Sequence, residues 1–424
     1  MVAYRNVAVL PFVAAAVALA APVEEPTEFA PEDVIADTAS RQTLSAPGPG
    51  TGGHDGRFFV QSTDDLYRLE LRAEAQFRFY SVFDAEDDTP SAGDAEDITT
   101  GFEHTRNRID FRARLYGDQL RIRLRGDFAR NGGRFRLVDN YFSYELGGGW
   151  SVQAGQYKIA YDREFSKIRG TSGLAVERSL TSTIFRVNRS QGVQIKYDAG
   201  DWRAFGTVSD GRAAANTAFT NAAEADIALT GRFELRIGDA GWRQFGDATS
   251  FQGADTGVLL GLGGHWQQDG RDLGPVRATG TTNLFMYTAD VSYEGDGWNA
   301  MAVFYGRTID PSGEGERETL TDLAFVMQGG LFVSEQTELF ARYEHIFPDS
   351  DRENSDDFPG FIVGANWYMI PGSHAVKVTG QVMWYPEAQA GSSSVVNAPN
   401  SNVGLLPDDD DNQVAIVGQI QLLF

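Results

Sequence analysis

Ile109-Asp110-Phe111-Arg112-Ala113-Arg114-Leu115-Tyr116, then Gly117-Asp118-Gln119, then Leu120-Arg121-Ile122-Arg123-Leu124-Arg125 carries the clearest strand signal in the chain. Apolar and charged residues alternate one by one in both runs, and a glycine-containing turn joins them. Successive side chains of a strand face opposite sides, so each run carries one apolar face and one cationic face. In a soluble sandwich the charged face would look outward. In a membrane barrel the apolar face meets lipid and the cationic face meets a water-filled lumen.

The same period of two continues outward from this hairpin in both directions. It predicts strands near 66–80, 104–116, 119–129, 136–146, 149–158, 190–198, 201–209, 225–238, 256–267, 282–295, 297–308, 320–333, 336–347, 358–370, 373–386 and 410–424. That is about sixteen, an even number, as single-chain bacterial barrels require. The connections alternate in length. Tight turns follow at Gly117-Asp118, Gly147-Gly148, Ala199-Gly200, Gly295-Asp296, Ser334-Glu335 and Pro371-Gly372, whereas 81–103, 159–189, 210–224, 268–281 and 387–409 are long. Short periplasmic turns against long outer loops is the pattern of an outer-membrane barrel. One link, Gly238 to Asp255, is long where a tight turn is expected. Either that turn is elaborated or the strands beside it are misplaced.

Trp150, Trp202 and Trp298 each follow a tight turn and Trp367 ends a returning strand, which places all four at one membrane interface; Trp384 belongs to the opposite girdle. The chain ends on Gln413 to Phe424, alternating to its last residue. An apolar final strand would be an aggregation-prone edge unless it closes against the first one.

Ahead of the barrel, residues 1–20 read as a secretory signal: Arg5 supplies the positive end, Val7 to Leu19 the apolar stretch, and Ala18-Leu19-Ala20 the cleavage site. Residues 21–56 are acidic, rich in proline and glycine and without periodicity, and read as a disordered linker. Residues 57–424 form the barrel. The expected location is therefore the bacterial outer membrane, with lipid and lipopolysaccharide as surroundings.

The 424 residues carry 36 Lys+Arg against 59 Asp+Glu, a formal charge of −23, and no cysteine. That balance argues against nucleic acid as a partner, since a phosphate backbone needs a basic footprint. Disulfide frameworks and cysteine metal sites are excluded outright. The histidines at 54, 104, 265, 345 and 374 are scattered, without HExxH or metal-ligand spacing, and neither a GxSxG elbow nor a phosphate-binding loop occurs. No enzyme activity, cofactor or metal is expected.

Gly155-Gln156-Tyr157-Lys158, Arg163-Glu164, Val176-Glu177-Arg178-Ser179 and Arg189-Ser190-Gln191-Gly192-Val193-Gln194 resemble the signature of the phosphate-selective porin O and P family. Phe58 to Ser62 leading into Leu69-Glu70-Leu71-Arg72, and the final Phe-ended strand, are similar too. The resemblance implies a sixteen-stranded barrel, usually a homotrimer, whose third loop folds into the lumen and narrows it. It also implies arginines down the wall and lysines near the constriction. This chain has the arginines and departs from that pattern in being poor in lysine, with Lys158, Lys167, Lys196 and Lys377 scattered.

Alternation places Arg68, Arg72 and Arg78 of the first strand, Arg112 and Arg114 of the second, and Arg121, Arg123 and Arg125 of the third toward the lumen; Arg72, Arg112, Arg114, Arg121, Arg123 and Arg125 are the candidate anion-binding residues. Guanidinium keeps its charge and grips oxyanions through paired donors, so a row of them can hand an anion from site to site. Glu70, Glu74, Asp110 and Asp127 interleave with them, and a wall-stiffening ladder of cross-strand pairs is the competing reading. The candidate constriction is 158–189, with Lys158, Arg163, Lys167, Arg169, Arg178, Arg186 and Arg189 against Asp162, Glu164 and Glu177, a local balance of 7 − 3 = +4. Asp84–Asp97, Asp349–Asp357 and Asp408–Asp411 fall in outer loops and lack the ligand spacing of a calcium loop. The expected function is passive diffusion of small, phosphate-like anions through an arginine-lined pore. The alternative is a non-selective porin, or an adhesive or envelope-structuring barrel.

Overall fold

In lipid, a strand's backbone N–H and C=O groups can be satisfied only by neighbouring strands, and a finite sheet satisfies all of them only by closing. The computed structural model, which describes residues 50–83, 98–128, 133–221, 224–270, 281–311, 318–352, 355–387, 395–396 and 412–424, has that closure. In chain order its strands are β1 (Thr51–His54), β2 (Phe58–Gln61), β3 (Tyr67–Phe83), β4 (Ile98–Leu115), β5 (Leu120–Phe128), β6 (Phe135–Gly147), β7 (Trp150–Lys158), β8 (Arg189–Asp198) and β9 (Trp202–Ser209). They continue with β10 (Ile227–Gly238), β11 (Gly257–Gln268), β12 (Thr282–Gly295), β13 (Trp298–Pro311), β14 (Leu320–Phe332), β15 (Thr337–Phe347), β16 (Phe358–Tyr368), β17 (Val376–Tyr385) and β18 (Gln413–Leu423). From β3 to β18 every strand is antiparallel to the next, and β18 closes on β3 from Val414↔Phe83 to Leu423↔Glu74. The result is a closed sixteen-strand barrel.

Two findings differ from the sequence reading at the amino-terminal end. Thr51–His54, inside the stretch read as linker, forms β1 and pairs with β2. Strand β2 then pairs with β3 from Phe58↔Leu71 to Gln61↔Arg68, in line with the end of β18 and just beyond it. The second strand of the ring also begins at Ile98 rather than near 104. A bulge causes that misreading: Gln76 pairs with Arg106 and Phe77 with His104, so Thr105 is skipped and the alternation changes phase there. The signal stretch 1–20, the acid runs 84–97 and 408–411, and most of the leader lie outside the described residues.

Outward-facing side chains are large, apolar and exposed: Leu69, Leu71, Phe77 and Phe79 on β3, Ile122 and Leu124 on β5, Val193 and Ile195 on β8, and Ile416, Ile420 and Leu422 on β18. In water such a belt would forfeit roughly 25 cal/mol per Å² of buriable surface, so its natural solvent is hydrocarbon. Trp150, Trp202, Trp298, Trp367 and Trp384 all point outward and stay partly exposed. Trp150, Tyr197, Trp202 and Phe233 form a continuous ring-to-ring row.

The long link after β10 is an elaborated turn, and the strands beside it are where the period predicted them. It contains a single 3-10 turn, Gln244–Gly246, with Phe245 and Ala240 buried against Leu259 and Trp242.

Candidate functional site: an arginine-lined cavity

The site is assembled from the barrel's inner face and from the segment between β7 and β8. That segment begins with buried Ile159 to Tyr161. Asp162 then caps a single π-helical turn, Arg163–Lys167, accepting from Phe165 N (2.9 Å) and Ser166 N (3.1 Å). Ser179 caps the short helix α1 (Leu180–Phe185) by accepting from Ser182 N at 2.9 Å, and Glu164 in turn accepts from Ser179 N at 2.8 Å. Capping groups of this kind satisfy helix-end donors that would otherwise be buried unpaired.

Inward side chains of ten strands hydrogen-bond to this one segment among the described residues, Arg106 of β4 reaching Glu177 and Lys158 of β7 reaching Phe165 O. Arg78 of β3 donates to Val176 O (2.6 Å), Arg232 of β10 to Tyr161 O (2.9 Å), and Tyr305 of β13 to Asp162 (3.3 Å). Ser292 of β12 accepts from Arg163 Nε (2.9 Å) and Glu344 of β15 from Thr181 N (2.9 Å). Asn366 of β16 donates to Leu174 O (3.0 Å), Lys377 of β17 to Gly173 O (2.8 Å), and Gln421 of β18 to Thr171 O (2.9 Å). Leu174, Val176, Leu180 and Phe185 also pack on inward Met301, Val303, Tyr305, Val326, Ile346 and Met383. On β11, a Cβ at Gly263 would run into the Tyr161 carbonyl, so only glycine lets the segment's backbone approach the wall there. The link after β10 meets the same segment: Arg169 N donates to Gly246 O (2.9 Å) and Ala248 N to Ser172 O (3.0 Å).

What this packing leaves open is a cavity of about 290 Å³ against β3 to β9. Its cationic lining is Arg57, Arg72, Arg108, Arg112, Arg123, Arg125, Lys158, Lys167 and Arg169; its acids are Glu74, Asp110 and Asp139. Nine cations against three acids is an excess of six in the lining itself; beyond it, Glu70, Asp127 and Asp247 pair with Arg57, Arg108 and Arg169. Each acid is shared. Asp110 accepts from Arg123 Nε at 2.9 Å and lies 3.4 Å from both Arg112 and Arg57. Asp139 lies 2.7 Å from Arg189, 3.7 Å from Arg123 and 3.9 Å from Arg125. Glu74 lies 2.6 Å from Arg125 and 3.7 Å from Arg108. Arg72, Lys158 and Lys167 have no carboxylate within ion-pair distance among the described residues. Lys158 Nζ donates to Phe165 O (2.7 Å), and Lys167 Nζ lies 3.4 Å from the centre of the Phe205 ring, on its face.

The structure separates the sequence candidates. Arg72, Arg112, Arg123, Arg125, Lys158, Lys167 and Arg169 line the cavity together. Arg114 and Arg121 are nearer the turn, paired with Glu70 and Asp118 and with Asp118 and Glu145 respectively. Arg163 is fully buried against Ser292 and Glu294. Arg178 spends its donors on Glu164 O and Ile168 O. Arg189 holds Asp139 from the wall, and Arg186 stacks 4.6 Å from the Phe165 ring centre. Sequence reasoning missed Arg57 and Arg108. Arg108 shares the parity of Asp110 and Arg112 and was findable; Arg57 sat at the edge of apparent linker.

Residues 77–236 match the family model described as phosphate-selective porin O and P, the family that the quoted motifs resemble. No functionally curated protein matches the chain. Among solved structures, the in-vitro folded, trimer form of OmpT, an outer membrane protein of Vibrio cholerae, is 12% identical, with 84% of this chain and 99% of that one covered at a TM-score of 0.55. The outer membrane channel DcaP of Acinetobacter baumannii is 11% identical over 85% and 99%, TM-score 0.54. Salmonella typhi OmpF, in complex with daunomycin, is 12% identical over 86% and 100%, TM-score 0.54. At such identities the likeness is one of fold, and with the family match it supports an outer-membrane channel rather than an enzyme.

Proposed function

Taking the porin-family match as premise, we propose that this protein is an outer-membrane porin through which small anions, phosphate-like oxyanions among them, diffuse passively. The observation that carries the reading is a lining of nine basic side chains against three acids in one cavity, three of the nine with no carboxylate within ion-pair distance among the described residues. A narrow passage with low-dielectric walls focuses the field of its lining, so a chain of net charge −23 can still present a positive interior. The 159–188 segment is the constriction in this reading, the third loop folded into the lumen. Its support is the set of bonds from ten wall strands and the meeting with the link after β10. Guanidinium groups that share their acids keep donors available to a passing oxyanion without holding it permanently, which conduction requires. The trimer form of one fold relative favours a homotrimer.

The interleaved pairs around Glu70, Asp110 and Asp139 support a second reading, a non-selective channel whose arginines serve the wall. Reversal potentials in planar bilayers under a salt gradient separate the two. Anion preference is expected; cation preference would overturn the selectivity, and absence of single-channel steps would overturn the channel.

A further inference from the structure

Arg57 belongs to none of the sixteen ring strands, yet it lines the cavity. It sits in the turn of the β1–β2 hairpin, one residue before the pairing of Phe58 with Leu71, and continuing that register sets Arg57 opposite Arg72. Its guanidinium lies 3.4 Å from Asp110 and 3.6 Å from Glu70, two of the acids that would otherwise subtract from the positive wall. The hairpin is held on the same inner face by Arg68, which stacks 3.9 Å from the Phe59 ring centre and pairs with Asp55. Phe58 and Val60, on the other face, are exposed in line with the apolar belt.

We propose that Arg57 is a selectivity-determining residue of the pore, so that the segment preceding the barrel builds part of the pore's lining. The inference rests on the channel reading above. Its physical basis is local: at separations near 4 Å, within a Debye length at physiological salt, the hairpin's charge acts directly on the potential at Asp110 and Arg72. The hairpin has only four paired residues per strand to hold it. The potential contributed by Arg57 is therefore lost with the hairpin, while the ring stays closed by β18 and β3.

The absence of cysteine in the chain makes a clean test available. Arg57→Cys, in the full-length protein, is reconstituted in planar bilayers and treated with thiosulfonate reagents of similar size and opposite charge. Relative to the unmodified variant, the cationic reagent is expected to raise the anion-over-cation permeability ratio by about two-fold and the anionic one to lower it by at least about two-fold. Heat-modifiable gel mobility confirms that the same folded barrel is compared throughout. Equal effects of the two reagents, or none, would overturn the proposal, because a residue that merely pins the hairpin responds to bulk and not to sign. Arg57→Lys, which keeps the charge, is expected to retain the native ratio, and Arg57→Glu to shift it toward cations; an Arg57→Glu ratio equal to the native one also overturns the proposal. If the native protein were itself cation-preferring, the channel's anion selectivity would fail. The opposite shifts from the two reagents would still separate that failure from the role of Arg57.

Discussion

Lys167 combines a positive charge, an aromatic ring beneath it and no carboxylate within ion-pair distance among the described residues. Burial pushes its ammonium pKa well below the ordinary 10.5; Glu234 opposes that shift, and Arg203 and Arg232 add to it. A lysine whose pKa is lowered gives up its proton as pH rises, before a free lysine would, so its contribution to the positive interior is present at the acid end and lost on the alkaline side. Anion preference is therefore expected to decline as pH is raised, at pH values below those at which a free lysine loses its proton. In Lys167→Arg the decline from this position should vanish, because guanidinium stays charged. Reversal potentials measured across that pH range on both proteins decide it; parallel curves would remove Lys167 from the selective set. The three arginines of Leu120 to Arg125 are likewise not equivalent. Arg123 and Arg125 line the cavity, whereas Arg121 is nearly half exposed and paired with Asp118 and Glu145. Arg123→Ala with Arg125→Ala should reduce anion preference about three-fold or more, and Arg121→Ala should change it little. Alternation alone could not separate them, because period two fixes the face a residue occupies and not its height along the strand.

At the scale of elements, all sixteen ring strands were legible because each has an apolar outer face imposed by lipid, whatever lies inside. What the sequence hid was the inner half of β12 to β18. Met301, Val303 and Tyr305 point inward on β13 while Ala302 and Phe304 point outward, so both faces are apolar and the alternation blurs. Such residues make sense only against Leu180 and Phe185 of the segment between β7 and β8, a contact between positions more than a hundred residues apart. Local periodicity carries no trace of it. The β1–β2 hairpin escaped for a different reason: Thr51-Gly52-Gly53 has neither β-branched density nor apolar rhythm, and β2 takes the β3 edge from Leu71 to Arg68, next to the β18 pairing that runs to Glu74. The packing of the segment gives two expectations. Leu180→Ala removes a fully buried side chain and should weaken the segment's seat by about 2–5 kcal/mol. Single-channel records should become noisier while the folded barrel keeps its gel mobility. Gly263→Val puts a side chain into the Tyr161 carbonyl and should displace the segment from the wall, changing unitary conductance. Unaltered conductance and noise in both variants would mean that the segment does not bound the conducting path.

For the whole molecule, the anion preference proposed above has to be reconciled with a net charge of −23, and the reconciliation is spatial. The sequence pattern assigns the acid runs 84–97, 349–357 and 408–411 to outer loops, while nine cations line the cavity. The two populations are screened differently. Charges on loops in open water lose their influence beyond a Debye length, about 30 Å at 0.01 M salt and about 3 Å at 1 M, whereas partly buried charges facing a narrow passage are screened far less. At low ionic strength the outer acids should act at a distance, depleting anions at the mouth and slowing their entry. At physiological salt that effect fades, and the lining sets the ratio. At molar salt even the lining weakens, leaving only ions in direct contact with guanidinium. The permeability ratio is thus expected to pass through a maximum at intermediate salt. A chain in which Asp408 to Asp411 are replaced by asparagine should keep more of its anion preference at the dilute end. The measurement is a series of reversal potentials at constant gradient from about 0.01 to 1 M salt. A ratio that falls monotonically in both proteins would mean that the outer acids lie too far from the mouth to matter. A ratio flat across the series would mean that selectivity comes from coordination in the cavity and owes nothing to its field.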